Sequence, residues 1–403
     1  MKYRLIFLCL LGIDAAILLM ESSGISISYR EAHTLYNSYT PLHFFVNASL
    51  NLFGQNDIAL RLPMILMHLT SVLLFYAVSD RYLERDSDRL WLVSIFMLLP
   101  GINSAALLLD NTVLVIMLLM AFVYFQEHRP AAAGAVLGVS VLIDGAFSLL
   151  YIGLFVYAIR ERRGALIAAT VVLLAASLYL HGFDVHGAPK GHFLDVLGLY
   201  AAIFSPILFI YLVYVLFRKV VVREFDRLWY LSAVPLGISL LLSFRQELDI
   251  QVFAPYLLLA MPLAAQMFFH SYRVRLKMFR RRYRLLFGIS FALLMLHALV
   301  VFFNMELYRF MEPGQKHFAQ KQHVAKELAA ALKARGVTCL TTSDFKMQLR
   351  LRFYGITQCR ECEMSLFPSE GAKNVTISYR NFPVYSAYVT KIPKKQESMP
   401  STP

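Results

Sequence analysis

The chain has 403 residues, is 58% hydrophobic and only 16% charged, and carries a net charge of +13. A mean hydropathy of +0.56 is too apolar for a soluble domain. The apolar runs are continuous instead of alternating in twos, which excludes a membrane barrel, and the positive charge lies in short loops between them, which argues against nucleic acid as a partner.

The first run, "LIFLCLLGIDAAILLM", is followed by no small-residue cleavage site and reads as a retained span, not a signal peptide. After it comes "SYREAHTLYNSYTPLHFF", Ser28 to Phe45, where an acid, two histidines and several tyrosines gather beside Pro41. Tyr29, Tyr36 and Tyr39 read as an interfacial aromatic belt, and Leu35, Leu42 and Phe45 are expected to dip into lipid. Pro41 should break this loop before the second span.

The fold class expected is a polytopic α-helical membrane protein. Counting runs of about 20 residues, with allowance for short or tilted helices, gives about eleven spans. They lie near 4–20, 57–79, 90–107, 111–126, 131–144, 146–159, 165–180, 197–217, 228–244, 250–269 and 285–303. The stretch "AAAGAVLGVSVLIDGAFSLLYIGLFVYAI" is split into two spans because only that division keeps every basic loop on one side.

Those loops are "RYLERDSDR", "EHR", "RERR", "RKVVVREFDR" and "RVRLKMFRRRYR", joined by Lys2 and Arg4. The positive-inside rule makes them cytoplasmic. The opposite loops then face outward with Glu21, Glu31, Asp57, Asp110, Asp144, Asp184, Asp195, Glu247 and Asp249. Asp57, Asp184 and Asp195 read as solvated helix caps, while Glu31 and Asp110 are the stronger candidates for a shared cleft.

From Asn304 the composition changes. "KHFAQKQHVAKELAAALKARG" has an amphipathic helix pattern that Gly336 ends. "VTCLTT", "QLRLRF", "NVTISY" and "YSAYVTKI" read as strands, with Leu349, Leu351 and Phe353 of the second on one face and Arg350 and Arg352 on the other. A small C-terminal α/β domain on the outward face is expected. The division is thus a membrane domain over 1–303, an outward domain over 304–392 and a disordered tail over 393–403. Cys9 packs within a span. "CREC" is weak evidence for zinc, and a structural disulfide from Cys339 to either Cys359 or Cys362 is the favoured reading.

The stretch "YREAHTLYNSYTPLHFFVNASLNLFGQNDIALRLP" resembles the first outward loop and second span of the polyprenyl-phosphate-dependent glycosyltransferases of the GT-C class, which include protein O-mannosyltransferases and bacterial aminoarabinose transferases. The family pattern is an acidic pair, a proline-aromatic stretch, then "FG" and "RL". Here Arg30-Glu31, "TPLHFF", Phe53-Gly54 and Arg61-Leu62 fill it. "LLLDNTVLVIMLLM" and "SFRQELDIQVFAPYLLLAMPLAA" resemble two further family segments. Two departures stand out: Arg30 replaces the first acid, and Asp144-Gly145 stands where relatives often carry Lys-Gly. The resemblance implies a multi-pass protein of a bacterial inner membrane, with a cytoplasmic N-terminus and a periplasmic C-terminal domain. It would move a sugar from a polyprenyl phosphate to a periplasmic acceptor: lipid A, a glycan or a protein.

Such transfer needs a carboxylate base for the acceptor hydroxyl and cations for the departing phosphate. Glu31 is the expected base, with Asp110 helping to orient it or the acceptor. Arg245 is the expected phosphate ligand, with Arg30 and Arg61 as runners-up; its alternative is pairing with Glu247 or Asp249. His43 and Tyr256 are possible substrate contacts, although hydrogen bonding at the interface and packing are the plainer roles. No cofactor is implied, and a divalent metal is left open. Two rival functions use the same cleft without chemistry: a transporter or flippase of lipid-linked sugars, and a non-catalytic assembly partner. The first is weakened by the lack of an internal repeat and by acids lying at helix ends instead of mid-span.

Overall fold

A computed structural model describes residues 2–38, 40–182, 191–310, 322–368, 372–379 and 382–391. Asp184, Tyr39, Phe318 and the tail over 393–403 lie outside the described residues. The chain forms two compact units: Met1–Leu19 with Pro63–Val301, and Met20–Leu62 with Phe302–Pro403.

The first unit is helical. It contains most of α1 (Lys2–Gly24) and α4 (Asp57–Ser79), whose connecting helices α2 (Tyr29–Asn37) and α3 (Pro41–Phe53) belong to the second unit. There follow α5 (Asp86–Leu98), α6 (Pro100–Leu107), α7 (Thr112–His128), α8 (Pro130–Ser140), a 3-10 turn over Gly145–Phe147, α9 (Ser148–Arg160) and α10 (Gly164–His181). Then come α11 (Phe193–Phe204), α12 (Pro206–Val222), α13 (Arg227–Leu242), α14 (Ile250–Leu257), α15 (Ala260–Val274) and α16 (Lys277–Phe302). Among the described residues five helices are long and apolar enough to cross a membrane: α1, α4, α10, α14 with α15, and α16. Two bent pairs raise this to seven if each is one span: α5 with α6, bent by 58°, and α11 with α12, bent by 107°. α7, α8, α9 with its preceding turn, and α13 are shorter apolar helices.

The breaks have local causes. Pro100 cannot donate to the Phe96 carbonyl, which accepts from Leu99 N instead, at 3.2 Å, and the helix turns. Ser205 takes a left-handed φ of 68° immediately before Pro206. The stretch with Asp144 does break into two helices: α8 ends at Ser140, and Asp144 caps the next turn by accepting from Ala146 N at 2.8 Å.

One end of this unit is bound together by its basic loops. Arg81 pairs with Glu127, Arg273 with Asp88, and Arg89 with Asp80 at 2.6 Å. Tyr82 donates to Asp226 at 2.8 Å, and Arg227 lies over the Tyr157 ring at 5.1 Å.

The second unit joins α2 and α3 to the C-terminal part of the chain. That part holds a 3-10 segment over Asn304–Phe310, α17 (Ala325–Ala334), β1 (Thr341–Thr342), α18 (Phe345–Phe353), β2 (Cys362–Ser365), β3 (Lys373–Tyr379) and β4 (Phe382–Lys391). The sheet order is β1-β2-β4-β3, parallel between β1 and β2 and antiparallel elsewhere. Leu328, Leu332, Leu340, Leu351, Met364, Val375 and Val389 form its core. Pro383 lies beyond the residues that pair with β2, beside a register shift at Ile377/Ser378, where its missing N–H costs no central ladder bond.

Three expectations are corrected here. "QLRLRF" is a helix: Asp344 accepts from Lys346 N at 2.9 Å and Met347 N at 3.2 Å, and leucine and arginine are strong helix formers. Leu35 and Leu42 are buried within the unit rather than dipped in lipid, whereas Phe44 and Phe45 are exposed. Asp57 is buried, not solvated. Of the two disulfide pairings left open, Cys339–Cys359 forms, and Cys362 stays a buried free thiol.

Candidate active site

Each unit contains a polar cluster. In the second unit the cluster grows from the end of α1. Helix C-termini carry carbonyls without partners and a negative dipole end, so they attract cations. Arg61 Nη1 donates to Ser22 O at 3.3 Å and to Ile25 O at 3.0 Å, and Nη2 donates to Ser26 O at 3.3 Å. Lys326 donates to Ser23 O at 2.7 Å. Arg350 Nε donates to Ile27 O at 2.7 Å, and its Nη2 reaches Ser26 Oγ and His323 O. Arg61 and Arg350 thus hold the extended segment after α1, and Lys326 holds the last turn of α1 itself.

The acids answer those cations. Glu31 pairs with Arg61 at 3.4 Å, and Asp57 lies 3.8 Å from it. Asp57 also accepts from Lys326 at 2.9 Å and from the Tyr354 hydroxyl at 2.6 Å. Glu31 Oε2 accepts from Ser28 N at 2.7 Å while Ser28 Oγ accepts from Glu31 N at 3.3 Å, a capping box that starts α2. Glu31 is 1% exposed and Arg61 0%. Burial and the adjoining Asp57 charge hold the Tyr354 hydroxyl well above its ordinary pKa, and burial lowers that of Arg350.

This geometry anchors chain. Arg61, expected as a runner-up for the phosphate, is fully buried between two carboxylates and several carbonyls. Glu31 stands inside the same network, away from solvent. Arg30 is on the exposed side of α2. His43 is half-buried, with Nε2 at 2.6 Å from Asn47 Nδ2 one turn along α3.

The second cluster lies in the first unit, at junctions between helices. Asp110, half-buried between α6 and α7, accepts from Thr112 N at 3.3 Å. The next residue, Asn111, donates to Asp144 Oδ2 at 2.8 Å. Tyr256, the other possible substrate contact, donates to Ala146 O at 2.8 Å and is fully buried. That bond ties the 3-10 turn capped by Asp144 to α14, which the turn over 243–249 precedes. Arg245 stands in that turn, exposed and without an ion pair to Glu247 or Asp249. A half-buried acid and an exposed arginine are the kinds of group that an acceptor hydroxyl and a phosphate would need.

Sequence reading missed Lys326, Arg350 and Tyr354, because nothing local signals a partner some 300 residues away. Asn111 was adjacent to a singled-out acid but offers no charge. The one grouping of potential metal ligands among the described residues is Cys339, Cys359 and Glu361, and its two thiols are joined to each other.

No protein-family model matches the chain, and no curated protein matches it. Solved structures do. ArnT from Cupriavidus metallidurans in the apo state is 12% identical, with a TM-score of 0.59 over 95% of this chain and 97% of that one. ArnT from the same organism bound to undecaprenyl phosphate is 10% identical, with a TM-score of 0.57 over 96% and 98%. The chain therefore has the GT-C-like fold that the motif resemblance implied.

Proposed function

We propose that this chain is an integral-membrane glycosyltransferase of the GT-C type, moving a sugar from a polyprenyl phosphate to an acceptor hydroxyl on the face opposite its basic loops. The observation that carries the reading is the fold likeness to ArnT over nearly the whole chain, one of those structures holding undecaprenyl phosphate. The exposed Arg245 and the half-buried Asp110 supply matching chemistry in this chain.

In this reading the protein sits in a bacterial inner membrane and crosses it about eleven times. Each bent pair makes one span, and the four shorter apolar helices make one each. A helix of 17 residues is about 25 Å long, short of a hydrocarbon core of about 30 Å, so these four rely on protein neighbours or a thinned bilayer. The C-terminal α/β part faces the periplasm and helps to hold the acceptor. Arg245 grips the phosphate through its planar fork of donors as the bond to the sugar breaks. Asp110 takes the proton of the acceptor hydroxyl as that oxygen attacks. Glu31 is a positioning residue, acting through Arg61 on the segment that joins α1 to α2. Arg30 remains the accessory cation.

The burial of Glu31 and the arginine before it favour one second reading, a GT-C-like assembly partner without activity. Purified protein in nanodiscs, given labelled polyprenyl-phosphate sugar and envelope acceptors, separates the two. Transfer by the wild type, reduced about 10²- to 10⁴-fold in Asp110→Asn with melting unchanged, is expected of the enzyme. No donor consumption by well-folded wild type favours the partner. Full activity in Asp110→Asn takes the base role from that residue.

A further inference from the structure

A cavity of about 430 Å³ opens in the first unit between α5, α12, α15 and α16, and the transfer reading makes no use of it. Its origin is steric. α16 meets the bundle through aromatic rings: Phe287 lies 5.3 Å from both Trp91 and Phe268, and Tyr283 lies 6.0 Å from Phe268. These rings keep α16 off the neighbouring backbones. Ala264, Ala265 and Ser290, which also line the space, are too small to fill it.

Its two ends differ. The interior is apolar, with Met261 and Leu294 among its walls, while Arg218 and Arg275 line it where the basic loops gather. No carboxylate is among the lining residues. Neighbouring Arg81, Arg89 and Arg273 each pair with an acid. Arg218 and Arg275 instead rest on neutral hydroxyls: Arg218 Nη1 donates to Tyr214 at 3.3 Å, and Arg275 Nη2 donates to Tyr283 at 2.7 Å, its guanidinium 4.1 Å over that ring. Each fork is oriented and retains donors that an anion can take.

We propose that this cavity binds one anionic phospholipid, its phosphate held by Arg218 and Arg275 and one acyl chain in the apolar interior. An apolar cavity is poorly suited to water, and the filler at hand in a bilayer is a hydrocarbon chain. Negative headgroups are selected because Arg218 and Arg275, with no carboxylate among the lining residues, would repel a choline ammonium.

The test is lipid retention by native mass spectrometry of the full chain, from nanodiscs of equal parts phosphatidylglycerol and phosphatidylcholine. One phosphatidylglycerol is expected to remain bound, at least tenfold over phosphatidylcholine. The preference should vanish in Arg218→Gln with Arg275→Gln and persist in Arg281→Gln with Arg282→Gln. Ala264→Leu with Ala265→Leu should lose both lipids. A diazirine in the acyl chain of phosphatidylglycerol should cross-link the wild type within α15 and α16, which keeps the test decisive if a variant does not fold. Equal retention of the two lipids, an unchanged preference in the Arg218/Arg275 variant, cross-links elsewhere, or displacement by equimolar polyprenyl phosphate would overturn the proposal. So would inorganic phosphate alone protecting the protein as well as the lipid does. None of these readouts depends on sugar transfer.

Discussion

Arg61 stands between Glu31 and Asp57 with no exposed surface, and it also holds the carbonyls that end α1. Removing one partner from a buried ion pair leaves the other desolvated and unpaired, at a cost of about 3–5 kcal/mol. Arg61→Leu should therefore lower the melting temperature sharply, because two acids are stranded. Glu31→Gln should cost less, since an amide oxygen still accepts from Ser28 N and Asp57 still faces the arginine. In a thermal-melt double-mutant cycle the two changes should be strongly non-additive. If Glu31→Gln left the melting temperature untouched and abolished transfer, Glu31 would be the base and the anchoring role would fall. The residues "YRE" and "RL" stand out in the sequence because they fill positions of the GT-C pattern. Their destination was not legible there: an anchoring carboxylate and a reactive one have the same side chain, and only burial and partners separate them.

Among elements, β3 and β4 were readable because their alternation meets a sheet with one covered face. α18 was misread for a physical reason. Its leucines and arginines alternate as on a half-exposed strand, yet α18 packs against α2 on one side and the sheet core on the other, so Arg350 is buried along with Leu349 and Leu351. Helical propensity and the Asp344 cap outweigh a pattern of two. The tyrosines that pack around these elements set an alkaline limit. Burial pushes Tyr308 and Tyr385 up to about 12, and Tyr354 and Tyr379 higher still. A folded pKa above the ordinary value of 10 gives stability that is complete below pH 10 and is lost as pH rises through the folded value. The tyrosine-rich second unit should hold its near-ultraviolet dichroism to about pH 10 and lose it toward pH 12. Tyrosinate absorbance should rise in step with that loss. A rise completed by pH 11 with the dichroism intact would show these hydroxyls to be solvated.

At the scale of the whole molecule, the proposed chemistry depends on which end of the first unit meets which compartment. Clustered Lys and Arg lie around the loops from α4 to α5, α9 to α10, α12 to α13 and α15 to α16, and their ion pairs and ring contacts gather several of them at one end. The junctions with Asp110 and Arg245 come at alternate turns of the chain. Moving clustered Lys and Arg across a membrane is unfavourable, so the basic end should stay in the cytosol. Single cysteines replacing the exposed residues Glu161, Glu224, Glu247 and Lys373, in a Cys9→Ser background, would report this in spheroplasts. An impermeant maleimide should label Glu247→Cys and Lys373→Cys at once, and Glu161→Cys and Glu224→Cys only after permeabilisation. The reverse pattern would turn Arg245 and Asp110 to the cytosol and end the case for transfer onto a periplasmic acceptor. Immediate labelling of Glu247→Cys with protection of Lys373→Cys would be narrower in effect: it would keep the catalytic end outside while excluding the α/β part from holding the acceptor.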